Sequence, residues 1–170
     1  MDYLIRKAEI TDAEELLEYF KIMGGQSNNN SFGSEGLYTD VEKLKEDIKE
    51  ISQAKGGLWL LVIFDGKIIG WGGLFPKPRR LSHRSLFAIN VLEEYWHRGI
   101  GTALGEKLVC HAKECGTEIL ELTVKVDNVY AKRIYNKLGF KGIGIIPALY
   151  KNAGEYYDFE MMYLDLRPNT

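Results

Sequence analysis

The chain has 170 residues, 45% of them apolar and 27% charged, with a net charge of −2; such values belong to an ordinary globular domain and exclude a disordered chain or a coiled coil. That length suits one domain, residues 1–170, able to bury roughly two thirds of the surface its unfolded chain would expose. Mild acidity gives no indication of nucleic acid as a partner. No apolar run is long enough for a bilayer and Met1 to Lys7 lacks a signal-peptide pattern, so no membrane and a cytoplasmic location are expected.

Residues 3–7 read as a short strand. Thr11-Asp-Ala-Glu14 has the form of a capping box, opening a helix through Leu16, Leu17 and Phe20 that Gly24 and Gly25 should close. Residues 26–38 are polar and glycine-rich, with Glu35 the only charge, and predict a mobile loop or lid. Thr39-Asp-Val-Glu42 is a second capping box, and its helix runs through Leu44, Ile48 and Ile51 to Gly56 and Gly57. Residues 58–64 and 67–75 are β-rich runs joined by Asp65-Gly66, a strong hairpin signal, and should pair antiparallel. A proline-rich connection leads to a strand containing residues 87–91.

There follows the most informative stretch, residues 87–104, FAINVLEEYWHRGIGTAL, in which an apolar run passes through glycines into helical spacing at Ile100, Leu104, Leu108 and Ala112. Gly99 and Gly101 let backbone approach a ligand closely, the helix start offers unpaired N–H groups, and Arg98 adds a fixed positive charge. Together they suggest a pyrophosphate cradle. The same glycines serve any tight strand-to-helix turn, so the motif alone does not establish a ligand. It is not a P-loop, because no Gly-Lys-Ser/Thr follows, and the dinucleotide fingerprint fails at Ala103 and Leu104.

Gly116 should stop this helix; residues 119–126 alternate as a strand, and Asp127-Asn128 caps a short helix through Ala131, Ile134, Tyr135 and Leu138 to Gly139. Residues 140–146 read as a strand, 147–154 as a loop and 155–166 as a last long strand. Cys110 and Cys115 lie on different faces of a helix and read as free thiols, and His83, His97 and His111 have no ligand spacing, so no metal is expected. Residues 1–50 hold twelve acids against six bases, which would favour a cationic acceptor if they bordered a site.

The element order and two motifs resemble the GNAT superfamily of acyl-CoA-dependent N-acyltransferases over nearly the whole chain. One motif is Q/R-x-x-G-x-G/A, met by Trp96-His97-Arg98-Gly99-Ile100-Gly101; the other is an Asn-opened helix ending in Tyr and Gly-Phe, met by Asn128, Tyr135 and Gly139-Phe140. Trp96 departs from the pattern, standing where Gln or Arg is usual. The resemblance implies an α/β single-domain fold, with a mixed, mostly antiparallel sheet of about seven strands flanked by about four helices. It also implies acetyl-CoA as acyl donor. The pantetheine arm would pair with the backbone of Ile89, Asn90 and Val91, and the pyrophosphate would rest on Arg98, Gly99, Ile100, Gly101 and Thr102 beside His97. Asn128 would bind the cofactor arm, although an Asn there is also a plain helix cap.

Transfer to an amine needs a base, a donor for the oxyanion and an acid for the departing thiolate. The resemblance assigns the acid to Tyr135 and the oxyanion donor to a backbone N–H of the fourth strand. For the base, Glu35, His83, Asp158 and water stay open. The implied acceptor is a primary amine of a small molecule, an amino acid or a peptide N-terminus, and dimers are common in the superfamily, so a homodimer is within expectation. A non-catalytic acyl-CoA-binding regulatory module would keep the turn but need no tyrosine acid.

Overall fold

The computed structural model describes residues 1–168. Seven strands form one sheet in the order β1-β2-β3-β4-β5-β7-β6. These are β1 (Leu4–Lys7), β2 (Leu58–Phe64), β3 (Lys67–Pro76), β4 (Arg84–Val91), β5 (Ile119–Lys125), β6 (Lys141–Asn152) and β7 (Glu155–Asp165). Every neighbouring pair is antiparallel except β4 with β5. Helices α1 (Ala13–Gln26) and α2 (Val41–Gln53) precede the β2–β3 hairpin, α3 (Ile100–Glu114) links β4 to β5, and α4 (Val129–Leu138) links β5 to β6. The right-handed βαβ unit needed to set β4 beside β5 in parallel is what places α3 against the sheet.

Two apolar layers cover the two faces of the sheet. Phe87, Leu120, Leu122 and Val124 pack beneath α3, with Leu104 and Leu108 fully buried. On the other face Trp59, Leu61 and Trp71 meet Leu16, Phe20, Leu44 and Ile48 of α1 and α2. The predicted helical stripes are these buried positions, because a 3.6-residue repeat gives each helix one apolar face.

Three sequence expectations on boundaries are corrected. The first capping box is made by Glu9 and Asp12 around a short 3-10 turn, not by Thr11 and Glu14, and Asp12 is further held by Arg6 at 2.7 Å. Helix α1 runs through Gly24 and Gly25 rather than ending there: a β-carbon on Gly24 would lie 2.0 Å from the Gly33 carbonyl, so this glycine lets the following loop lie against the helix. In the second box the capping side chain is Asp40, which accepts from the Glu42 N–H, rather than Thr39.

Residues 147–152 belong to β6 instead of a loop. Pro147 has no N–H to give a ladder. The sheet absorbs the interruption as a bulge: pairing stops at Ile146, Ala148 turns to φ 52° with its N–H on the Asp158 carboxylate at 2.8 Å, and pairing resumes at Tyr150.

Candidate active site

The β4–β5 seam is paired for only three residues, Arg84 to Leu86 against Ile119 to Glu121. Beyond Leu86 the strands part, while β4 stays paired with β3 as far as Val91. The Leu92 N–H donates to the Ile69 carbonyl at 2.9 Å, and the His83 carbonyl accepts from the Ile119 N–H at 3.1 Å. Antiparallel parity therefore turns the backbone groups of Asn90 toward β3 and those of Ile89 and Val91 toward the gap. Of the three residues expected to pair with a ligand arm, Ile89 and Val91 are thus the ones whose backbone lies on the open side. Asn90 nonetheless lines the cavity that occupies the gap.

A cavity of about 360 Å³ fills the opening, lined by Ile89, Asn90 and Val91 on one side and by Asn128, Ala131 and Ile134 on the other. The start of α3 closes one end with His97, Gly99, Ile100, Gly101 and Thr102, and Tyr135 lies within. Gly99 is the helix N-cap at φ 77°, a left-handed conformation that favours glycine, and supplies no capping side chain. The first-turn N–H groups are thus left to a ligand. A β-carbon on Gly101 would sit 3.0 Å from Ile134 Cδ1, so the absence of a side chain keeps this part of the cavity open.

Arg98, by contrast, does not line the cavity. Its guanidinium lies 5.7 Å from the Tyr95 ring centroid and donates to the Glu94 carbonyl at 3.2 Å. Among the described residues the arginine that lines the cavity is Arg133 on α4, beside Tyr130, whose ring meets His97 with centroids 4.6 Å apart. The sequence reading missed Arg133 and Tyr130; the only available signal was their position in the first two turns of the Asn-opened helix. Trp96 also lines the cavity, and its indole N–H donates to the Val91 carbonyl at 2.7 Å.

Asn128 caps α4 by accepting from the Ala131 N–H at 3.1 Å. That bond uses Oδ1 and leaves the amide Nδ2 free to donate. Tyr135 is 7% exposed, its ring set between Phe87 and Phe140. Burial pushes its phenol well above the ordinary value near 10, so it is protonated at neutral pH. No hydrogen-bond partner holds its hydroxyl among the described residues.

The three side chains considered as bases stand elsewhere. Glu35 is exposed and accepts from the Gly33 N–H at 2.8 Å, which with its own backbone N–H lowers its pKa. His83 lies at the paired end of the seam, where its carbonyl meets Glu118 and Ile119. Asp158 holds the β6 bulge. Among the described residues no carboxylate lines the cavity; its remaining wall is Met23, Gln26, Ser27, Asn29 and Asn30, from the end of α1 and the following loop. Of the acids of the first fifty residues, Asp12 is held by Arg6, Asp47 by Tyr38 and Lys43, and Glu15 by the Ile68 N–H.

Residues 26–140, which include the whole glycine turn and Tyr135, match the model of the Acetyltransferase (GNAT) family. The chain belongs to this family. A relative described as an N-alpha-acetyltransferase, from Sulfurisphaera tokodaii, is 28% identical over 92% of this chain and 90% of its own. The solved GNAT acetyltransferase of Streptococcus pneumoniae superposes with a TM-score of 0.92 at 26% identity, covering 96% of this chain and 99% of that one. An acetyltransferase structure from Salmonella typhimurium with its cofactor acetyl-CoA has the same fold, with a TM-score of 0.86 at 17% identity over 98% of this chain and 95% of its own. The mixed seven-stranded sheet with four helices is thus the GNAT fold, and an acyltransferase is the class of enzyme to which this GNAT chain is related.

Proposed function

We propose that this GNAT protein transfers an acetyl group from acetyl-CoA to a primary amine, the α-amine of an amino acid or peptide being the preferred acceptor. The observation that carries the reading is the opened β4–β5 seam, where an unpaired strand edge, an uncapped helix start and a largely buried tyrosine with an unpartnered hydroxyl line one cavity.

These groups fit acetyl-CoA. Ile89 presents its backbone donor and acceptor to an extended amide-bearing arm, in the manner of an added strand, while the Val91 carbonyl is taken by the Trp96 indole and only its N–H stays open. Gly101 and Thr102 offer first-turn N–H groups to phosphate, with Arg133 as the neighbouring cation. Asn128 keeps a free amide donor beside its capping role. When bound, acetyl-CoA supplies an activated thioester. The Val91 N–H stabilises negative charge on the acyl oxygen, and Tyr135, held protonated by burial, donates to the departing thiolate. Of the bases considered, Glu35, His83 and Asp158 do not line the cavity, and water takes the ammonium proton. The carboxamides of Gln26, Asn29 and Asn30 suit the polar amide or carboxylate beside an α-amine better than a polycation, and the archaeal relative's name points to the same acceptor.

A thiol-release assay with acetyl-CoA against amino acids, peptides, polyamines and other amines tests this. Release stimulated by α-amines above the hydrolytic background is expected. Tight acetyl-CoA binding without release for any amine would instead favour the regulatory acyl-CoA-binding module.

A further inference from the structure

We infer that Tyr19 and Trp96 are positioning residues that clamp the two peptide units around Val91, aiming and polarising its N–H toward the acyl oxygen; the inference rests on the acetyltransferase reading above. The 90–91 peptide unit carries the Asn90 carbonyl on one edge and the Val91 N–H on the opposite one, because the bond is planar and trans. Tyr19, 2% exposed on α1, donates its hydroxyl to that carbonyl at 3.0 Å. The carbonyl also faces β3 by ladder parity, so the N–H on the other edge points into the gap where β5 has parted. A hydrogen bond accepted at the carbonyl draws electron density across the amide and strengthens its N–H as a donor.

Trp96 acts on the next unit. Its indole N–H engages the Val91 carbonyl at 2.7 Å, the last acceptor on the open edge. An approaching acyl oxygen therefore meets a donor there and no competing free carbonyl. This gives position 96 a task unlike that of the Gln or Arg usual in the motif: the polar atom is spent on the strand, not on the cofactor phosphates. Both contacts come from outside the strand itself and each engages a different peptide unit, so neither alone fixes both peptide planes.

Tyr19→Phe keeps the ring in its packing and removes only the donated proton. In the ligand-free protein the Val91 amide proton resonance is expected to move upfield in the variant, with the thermal midpoint nearly unchanged. In turnover kcat should fall by about three- to tenfold, in keeping with the loss of one hydrogen bond, while the Kd for acetyl-CoA stays within about twofold. Trp96→Phe should lower kcat similarly and also raise that Kd, since its ring lines the cavity. An unmoved Val91 resonance or wild-type kcat in Tyr19→Phe overturns the clamp. If the wild-type protein transfers acetyl to no amine, the acetyltransferase reading falls, and the acyl oxygen with it as the ligand of Val91, even where the resonance moves.

Discussion

The two ends of the β4–β5 seam are built from the same two strands and do opposite things. At the closed end, Ser85 and Leu86 pair with Leu120 and Glu121, and the buried Glu121 carboxylate is held by Lys77 and by Arg84 at 2.6 Å. At the open end, the backbone of Ile89 and the Val91 N–H have no strand partner, α3 begins without a capping side chain, and Tyr135 keeps a free hydroxyl. A ladder that is complete at one end and broken at the other gives a rigid wedge whose unspent hydrogen bonds are available to a ligand.

The largest effect should come from the open end. Tyr135→Phe preserves the packing against Phe87 and Phe140 and removes the proposed acid; kcat should fall by about 10² to 10⁴ with acetyl-CoA affinity and thermal midpoint nearly unchanged, as steady-state kinetics and calorimetry would show. Wild-type turnover would make the tyrosine a packing residue and remove one of the differences between the two ends.

Next comes Gly101→Val. Its β-carbon would press on Ile134 at 3.0 Å and its branches would enter the cavity. Acetyl-CoA affinity measured by titration calorimetry should weaken by about tenfold or more, roughly 1.4 kcal/mol.

The closed end is broken by Glu121→Gln, with a cost of about 1–2 kcal/mol at pH 7 in denaturant unfolding and no change in acetyl-CoA affinity. Burial alone would raise the Glu121 pKa, but Lys77 and Arg84 outweigh it and hold the carboxyl below its ordinary value. A depressed folded-state pKa means stability that is present above the unfolded value of about 4.3 and lost as pH falls through the folded one. The wild-type protein should therefore lose this contribution below that pH, and the variant should show a shallower acid limb.

The smallest difference separates two arginines. Arg98→Ala should alter acetyl-CoA affinity by less than about twofold, because its guanidinium is spent on Tyr95 and Glu94 outside the cavity, whereas Arg133→Ala should weaken it by about fivefold. The reverse order would return the phosphate contact to the motif arginine.

The sequence by itself determined the elements and their order, since helical stripes such as Leu44 and Ile48, the Asp65-Gly66 turn and the caps at Asn128 and Gly139 are local facts of spacing and backbone preference. It also marked the glycine turn and, by resemblance, the family. It could not say which side of β4 is open, because strand parity and the early end of the β5 ladder depend on partners distant in the chain. Nor could it foresee that Arg98 folds back on Tyr95 while Arg133 reaches the cavity, that Asn90 turns its backbone to β3, or that Glu35, His83 and Asp158 are drawn away from the site. Side-chain charge is written in the sequence, but the direction in which a charge or an amide points is set by packing, and the tertiary structure alone decided it.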